Sequence, residues 1–140
     1  MQLFPVKVKF KKQHRRRNLL TKKEVNYITP LKGFSGIKAT SSFRLTSTQI
    51  ESSRKVITKH IRKKFKSKLR FCIFPDLPIT KKSTGVRMGK GAGNIDFWCF
   101  PVLKGRVLFE VNKNIIPISV IFKAFSSVTN KLPGSSKIIL

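Results

Sequence analysis

The fold follows most directly from residues 46–66, which read TSTQIESSRKVITKHIRKKFK. Thr46 opens a capping-box pattern, in which a hydroxyl residue is followed three positions later by Gln49, and this pattern is typical of a helix N-terminus. At 100° per residue, one side of a helix over 47–66 carries an apolar stripe. The members of this stripe are Ile50, Ser53, Ile57, Ile61 and Phe65. The sequence therefore predicts an amphipathic helix that packs one face on a core.

The opposite side of this predicted helix is almost entirely cationic. Its basic residues are Lys55, Lys59, Arg62, Lys63 and Lys66. Only Glu51, near the start of the helix, could neutralise any of these charges from within the helix. Solvation of the face is the alternative interpretation, but the shortage of acidic partners favours contact with RNA phosphates.

Short apolar runs bounded by Gly, Pro and other turn residues predict strands elsewhere in the chain. These runs cover residues 25–29, 34–39, 69–74, 95–103, 106–111 and 137–140. Because Lys104 and Gly105 form a turn, we expect the runs at 95–103 and 106–111 to pair as a hairpin. The aromatic residues Phe97, Trp98 and Phe100 could stack on bases, but at strand spacing core packing is the favoured interpretation.

A second helix is predicted after Pro117, a residue suited to the first turn of a helix. Its apolar stripe consists of Ile118, Ile121, Ala124, Phe125, Val128 and Leu132. Since this helix carries only Lys123 and Lys131 as charged residues, we predict that it is structural rather than RNA-binding. Two helices with one apolar face each predict an α+β fold, in which both α-helices pack on one face of an antiparallel or mixed β-sheet.

The charge balance points to a polyanionic partner. The chain has 140 residues, which suits one domain, and 31 Lys+Arg against 5 Asp+Glu give a net charge of +26. Self-repulsion at this density disfavours the compact free state, so nucleic acid is the expected partner. A membrane surface would require a basic amphipathic helix with a Trp/Leu face. Basic residues instead occur along the whole chain, and no membrane partner is expected.

Residues 1–23 are predicted to form a basic N-terminal arm, and residues 24–140 a single α+β RNA-binding domain. Val6, Val8 and Phe10 alternate with lysines at the period of a strand. An extended arm that lies on phosphates and is ordered by its partner is favoured over a disordered tail. The arm residues predicted to contact RNA are Lys7, Lys9, Lys11, Lys12, His14, Arg15, Arg16 and Arg17.

A glycine-rich basic stretch, RMGKGAG at 87–93, precedes the predicted strand at 95–103. Its glycines allow positive φ and the close approach of another backbone, while Arg87 and Lys90 supply charge. We therefore predict a mobile basic loop that contacts phosphate or RNA. The residues assigned to this loop site are Lys81, Lys82, Arg87, Met88, Gly89, Lys90 and Gly91. The pattern GxxxxGK[ST] is absent, which argues against a nucleotide-binding P-loop.

The sequence offers little for catalysis or metal binding. His14 and His60 are its two histidines, and its five acidic residues are scattered, so no pair is spaced for general acid–base chemistry. Cys72 and Cys99 lie in separate apolar runs, which makes a zinc site improbable. We expect no enzymatic activity, no cofactor and no metal. No apolar run is long enough for a membrane span, and the N-terminus lacks the apolar region of a signal peptide.

Seven stretches of the chain, in this order and spacing, resemble the bacterial-type large-subunit ribosomal protein L sixteen family. The eukaryotic ten-e proteins are distant relatives of that family. The stretches are KVKFKKQHRRRN at 7–18, FSGIKA at 34–39, LTSTQIE at 45–51, FPDLPIT at 74–80, RMGKGAG at 87–93 with Phe97 and Trp98 after it, GRVLFE at 105–110 and KLP at 131–133. The resemblance covers nearly the whole chain and implies an α+β fold with helices packed on a sheet.

The resemblance also implies a function, namely that of a structural constituent of the large ribosomal subunit. Such a protein binds large-subunit rRNA and helps organise the A-site tRNA region near the peptidyl-transferase centre, with the loop around Arg87 reaching toward the tRNA. The implied partners are large-subunit rRNA, A-site tRNA and neighbouring ribosomal proteins, and a homo-oligomer is not expected. The alternative is an extra-ribosomal RNA-binding or RNA-chaperone module.

The chain departs from the family pattern at several positions. Ala92 stands where the family usually has a second Lys, and Arg16 where it often has Gly. Arg70 replaces an expected aromatic residue and Cys72 an expected basic one, while residues 19–33 have diverged. This divergence, together with richness in Lys, Ile, Phe, Asn and Ser, favours an organellar protein. A mitochondrion is the expected location, with a plastid or the bacterial cytoplasm as alternatives.

Overall fold

The chain folds into two helices and two antiparallel sheets around a shared core, as described by a computed structural model of residues 3–14, 22–62, 65 and 67–140. In chain order the elements are β1 (Phe34–Ala39), β2 (Phe43–Thr46), α1 (Ser47–Arg62), β3 (Arg70–Phe71), β4 (Leu77–Lys81), β5 (Asn94–Val102), β6 (Val107–Asn112), α2 (Ile118–Thr129) and β7 (Ser136–Ile139). The predicted α+β class is confirmed.

The strands are divided between a four-stranded sheet, in the order β3-β6-β1-β7, and a three-stranded sheet, in the order β2-β5-β4. All of these pairings are antiparallel. At the centre of the larger sheet, Ile37 lies between Phe109 on β6 and Ile138 on β7. The helices α1 and α2 pack against each other over the core.

The predicted hairpin between 95–103 and 106–111 is wrong, because β5 and β6 belong to different sheets. At the turn between them, Gly105 takes a φ of +99° and its N–H donates to the carbonyl of Ala39 at 2.8 Å. The turn thus passes the chain from one sheet to the other. β6 is buried at five consecutive positions, as expected of a strand that is covered on both faces.

The first helix begins as its sequence predicts. The backbone N–H of Thr46 donates to Gln49 Oε1 at 3.0 Å, and the N–H of Gln49 donates to Thr46 Oγ1 at 3.3 Å, which is the reciprocal arrangement of a capping box. The stripe residues Ile50, Ser53, Ile57 and Ile61 are buried, and Phe65 packs at the edge of the core. The helix ends at Arg62 rather than at 66, and residues 63, 64 and 66 lie outside the described residues.

The second helix also follows its predicted stripe in the middle. Pro117 is the N-cap, and the buried residues are Ile121, Ala124, Phe125 and Val128. Ile118 is exposed, which corrects its assignment to the buried stripe, and Leu132 is partly buried beyond the end of the helix. β7 confirms the apolar run near the C-terminus, since it pairs with β1.

One strand prediction fails and one strand was missed, each for a local reason. Residues 25–29 form no strand, because Tyr27 has a φ of +56°, which lies in the left-handed region rather than the extended one. β4, at Leu77–Lys81, was not predicted because Pro78 reads as a strand breaker. It forms because β4 is an edge strand, where a missing backbone N–H is tolerated. The run at 69–74 is a strand only over Arg70–Phe71.

The N-terminal segment is only partly anchored. Leu3 is buried in the core, whereas Val6 and Phe10 are exposed, and no strand forms within residues 3–14. Lys23 makes an isolated parallel bridge with Lys104, and the N–H of Glu24 donates to the Lys104 carbonyl at 2.9 Å. The extended arm and the domain boundary between residues 23 and 24 remain predictions.

Replacing Thr46 with alanine removes the side-chain acceptor for the N–H of Gln49 at the start of α1. We expect the free energy of unfolding to fall by about 1 kcal/mol, as measured by thermal denaturation followed by circular dichroism. Thr84→Ala is the matched control, because Thr84 is exposed outside the helices and strands. Equal stability of the two variants would contradict the capping role.

Candidate nucleic-acid interface

Exposed lysines line the outer face of α1. Lys55 and Lys59 are both exposed, while the side chain of Arg62 and the whole of Lys63 and Lys66 lie outside the described residues. The acidic residue of this helix, Glu51, is bound by Arg54, whose Nη2 lies 2.6 Å from Glu51 Oε1. The hydrogen bond from Arg54 holds the pKa of Glu51 below its ordinary value. The carboxylate therefore stays charged and is already partnered, which leaves the lysines to face an external anion.

The same pairing recurs at the other two glutamates. Arg70 Nε lies 3.7 Å from Glu110 Oε2, and Arg106 Nη1 lies 3.1 Å from Glu24 Oε2. Glu110 is buried, and its Oε2 forms an ion pair with Arg70 without a hydrogen bond. Each glutamate thus forms an ion pair with an arginine. The exposed lysines are therefore not neutralised by these carboxylates.

The described part of the predicted arm is basic and open to solvent. The exposed residues assigned to RNA contact are Lys7, Lys9, Lys11, Lys12 and His14. Arg15, Arg16 and Arg17 lie outside the described residues. Lys12 Nζ donates a hydrogen bond to the carbonyl of Ala92 at 2.9 Å. The structure therefore joins the arm to the glycine-rich loop, although 80 residues separate the two positions in the chain.

The glycine-rich loop is the tip of the β4–β5 hairpin. Its base is closed by the pairing of Lys81 with Asn94. The two backbone segments approach each other closely at this point, because a Cβ on Gly93 would clash with the carbonyl oxygen of Lys81. Only glycine permits this approach. The loop is consequently held at its base by two paired strands and carries its basic residues outward.

Lys82 fixes the interior of this loop. Its Nζ donates to the carbonyls of Arg87, at 3.3 Å, and of Gly89, at 2.5 Å. Beyond these contacts the chain takes positive φ at Gly89, Lys90 and Gly91. The ammonium group of Lys82 is thus bound within the loop. Lys81, Arg87 and Lys90 are exposed and can contact a partner.

Arg87 and Met88 form the outermost part of the loop. Arg87 is exposed, and Met88 is 95% exposed. Gly91 is exposed as well, and a Cβ there would meet no atom within 4 Å. A cationic and an apolar side chain thus stand next to each other at the tip, which suits contact with a phosphate and with the edge or face of a nucleotide.

Comparison with known proteins connects this arrangement to a family. The family model described as Ribosomal protein L16p/L10e matches residues 5–139. The chain belongs to the L16p/L10e family of ribosomal proteins. It is 40% identical over 139 residues to the large ribosomal subunit protein uL16 of Blochmanniella pennsylvanica, across 99% of this chain and 98% of that protein. It is 38% identical over 141 residues to the protein of the same name from Aeromonas salmonicida, across 99% and 96% of the two chains.

Membership of the L16p/L10e family confirms that the chain has a structural ribosomal role and is not an enzyme. The chemistry of Cys72 agrees. Burial, with a further contribution from Glu110, raises the pKa of Cys72 to about 11, so this thiol stays protonated at neutral pH and is a poor nucleophile. Within the described residues, no cluster of three or more His, Cys, Asp or Glu side chains is arranged to hold a metal, and no helix has the length and apolarity of a membrane span.

Sequence reasoning missed a cluster of aromatic rings around an arginine in this L16p/L10e protein. The guanidinium carbon of Arg106 lies 4.4 Å from the ring centroid of Tyr27 and 5.5 Å from that of Phe100. Arg106 Nη2 also donates to the carbonyl of Cys72 at 2.9 Å. No local sequence pattern marks this cluster, because Tyr27 and Arg106 come from distant parts of the chain.

The aromatic residues of β5 divide between core and surface. Phe100 packs against the core, as predicted. Trp98 is half-buried, and Phe97 is 38% exposed, which makes the core assignment of Phe97 wrong. Phe97 lies on the same face of β5 as the buried Cys99, but nearer the end of the strand that enters the loop, where most residues are exposed.

Lys82→Met should loosen the loop, because it removes the ammonium that binds the carbonyls of Arg87 and Gly89. We expect limited trypsin digestion to cleave after Arg87 and Lys90 about fivefold faster, as for the loss of about 1 kcal/mol. Lys81→Met is the matched control, since it removes the same charge from the neighbouring, exposed position. Equal acceleration by both variants would show that charge alone, and not the internal contacts, orders the loop.

Proposed function

We propose that this protein is a structural constituent of the large ribosomal subunit, where it binds large-subunit rRNA and helps organise the A-site tRNA region near the peptidyl-transferase centre. The observation that carries the proposal is the separation of charges. The glutamates are matched to arginines, while exposed lysines of a chain with a net charge of +26 are left for an external polyanion. The relatives named as large-subunit proteins support the choice of rRNA as that polyanion.

Anchoring to rRNA is assigned to α1 and the arm. Lys55 and Lys59 lie one helical turn apart on a rigid helix, a spacing that lets both reach one phosphate backbone. The arm adds the exposed residues Lys7, Lys9, Lys11, Lys12 and His14. Arg15, Arg16, Arg17, Arg62, Lys63 and Lys66 complete the proposed rRNA-binding set on the strength of the sequence.

Positioning of A-site tRNA is assigned to the loop at the end of the β4–β5 hairpin. Lys82 and Gly93 hold its shape from inside, and Arg87 stands exposed at the tip. A preformed cationic tip loses less conformational entropy on binding than a flexible one. This arrangement supports a role in which the body is fixed by rRNA and the loop meets the tRNA.

The remaining partners are neighbouring ribosomal proteins, and we propose no homo-oligomer and no membrane contact. We also propose a mitochondrial location, based on the divergence from the family pattern and on the richness in Lys, Ile, Phe and Ser. Blochmanniella pennsylvanica and Aeromonas salmonicida supply bacterial relatives, so a plastid and the bacterial cytoplasm are the alternatives. Immunodetection in purified organelle and cytoplasm fractions separates the three locations.

Sedimentation of native ribosomes on a sucrose gradient tests the ribosomal assignment. The protein should travel with the large subunit at moderate salt. Recovery at the top of the gradient, together with RNA bound outside ribosomes, would support the alternative of an extra-ribosomal RNA-binding or RNA-chaperone module.

The double variant Lys55→Ala, Lys59→Ala should bind large-subunit rRNA more weakly, because fewer counterions are released when it binds. The slope of log affinity against log salt should fall by about 1 for each lysine removed, as measured by filter binding over a salt series. Lys123→Ala with Lys131→Ala is the matched control, since both residues are exposed near the second helix. The assignment to α1 is wrong if the control lowers the slope equally.

Arg87→Ala should leave incorporation into the subunit nearly unchanged and weaken A-site tRNA binding by about tenfold, as for the loss of one charge-assisted hydrogen bond. Incorporation is measured by sedimentation, and tRNA binding by filter retention on reconstituted ribosomes. Lys113→Ala serves as the control, because Lys113 is exposed in the turn after β6. If Arg87→Ala abolishes incorporation, the loop is an anchor and the division of roles fails.

A further inference from the structure

We propose that a cleft beside Arg106 takes up one unstacked RNA base, and that its polar groups select guanine. The cleft has a volume of about 330 Å³, and its wall includes Tyr27, Arg70, Phe74, Asp76 and Arg106. This volume is at the lower end of the range for small-ligand pockets, which suits a single base. The proposal rests on the proposed function, since an RNA must be brought to the protein surface.

Arg106 forms a rigid floor for this cleft. Its guanidinium lies against the rings of Tyr27 and Phe100, and its two terminal nitrogens donate to Glu24 and to the carbonyl of Cys72. Four contacts from four different residues fix the plane of the group. Its Nε is buried and has no hydrogen-bond partner within the described residues, so the group offers a bound base its plane and not this donor.

The rim supplies aromatic faces. Tyr27 is 55% exposed and Phe74 is 43% exposed, although large aromatic residues usually bury most of their surface. Unstacked RNA bases commonly stack on such rings and on the plane of an arginine. Phe74 and Tyr27 border the same cleft, which gives a base an aromatic surface and a guanidinium plane within one site.

The backbone of Tyr27 is held in an unfavourable conformation. Its φ is +56°, which is uncommon for a bulky residue and is most often found where function requires it. The carbonyl of Tyr27 accepts the N–H of Val107 at 2.9 Å, and this bond ties the residue to the start of β6. This conformation places the ring of Tyr27 beside Arg106, with 4.4 Å between the ring centroid and the guanidinium carbon.

Asp76 decides which base fits. It is an exposed carboxylate in a chain with only 5 Asp+Glu, and it repels a phosphate at this point of the cleft. A carboxylate accepts hydrogen bonds but does not donate them, so it favours a base edge with adjacent N–H donors. Guanine presents its N1–H and N2–H₂ groups side by side, and its O6 and N7 are acceptors that suit an arginine at the rim such as Arg70. Uracil lacks the paired donors.

Binding of short RNA by the full-length protein tests the cleft directly. The probes are the single-stranded hexamers UUGUUU, UUAUUU and UUUUUU, titrated at several salt concentrations. We expect the guanine-containing hexamer to bind about tenfold more tightly than either of the other two, because guanine alone makes a good pair of base-edge contacts in the cleft. The three salt slopes should be equal, because the probes carry the same number of phosphates.

Variants then locate the effect. Phe74→Ala should reduce the affinity for UUGUUU by about tenfold without changing the salt slope, because stacking releases no counterions. Phe97→Ala is the matched control, since Phe97 is similarly exposed on β5 but does not line the cleft. Asp76→Asn should remove the preference for guanine over adenine while leaving stacking in place. Circular dichroism verifies that each variant is folded.

Three outcomes overturn the proposal: equal affinity of the native chain for UUGUUU and UUUUUU, equal affinity for UUGUUU and UUAUUU, or equal losses from Phe74→Ala and Phe97→Ala. Its failure is distinguishable from failure of the proposed function. A protein that sediments with the large subunit but shows no base preference lacks only the cleft activity. A protein that prefers guanine but stays outside ribosomes retains the cleft and contradicts the ribosomal assignment.

Discussion

The mutual repulsion of an excess of positive charge is the constraint on which the rest of this structure depends. A net charge of +26 on 140 residues opposes compaction. Ion pairs between each glutamate and an arginine reduce this repulsion locally. The pairs join elements that must come together: Arg70 on β3 meets the buried Glu110 on β6, and Arg106 meets Glu24 before β1. Truncating one partner of such a pair is costly, because it leaves the other charge buried and unmatched. The lysines stay outside, where salt or a polyanion can screen them.

The loop depends on the fold in a similar way. A stretch as rich in glycine as 85–93 has a high conformational entropy when free, yet here it is shaped from three directions. The β4–β5 pairing closes its base, Lys82 binds its carbonyls from within, and Lys12 binds the carbonyl of Ala92 from the N-terminal segment. Because Lys12 lies among the exposed basic residues of that segment, this hydrogen bond links the segment directly to the loop.

The features that could be predicted from the sequence are those specified by neighbouring residues. Thr46 and Gln49 identify the start of α1, and the 3.6-residue period places Ile50 and Ile57 in the core, because a helix is stabilised by contacts three and four residues apart. Sheet membership depends on distant pairing, so the assignment of β5 and β6 to different sheets could not be read from a turn at Gly105. The cluster of Tyr27 with Arg106 was invisible for the same reason. The motif around Arg87 located the loop, but no pattern showed that Lys82 supports it from inside.

Charge alone cannot explain how such a protein would reach a single place on a large RNA. Lysine contacts to phosphates carry no sequence information, and a surface of them binds RNA of any sequence with similar strength. Selection requires groups that respond to shape or to base edges. The preformed loop responds to shape, because only a surface complementary to its tip can meet Arg87 and Met88 together. The cleft at Arg106 responds to base edges, because Asp76 excludes phosphates and acceptor-only groups from a site that aromatic rings make attractive. Acidic residues are rare in this chain. At Asp76 the negative charge favours base edges with N–H donors over phosphates, which the rest of the basic surface attracts.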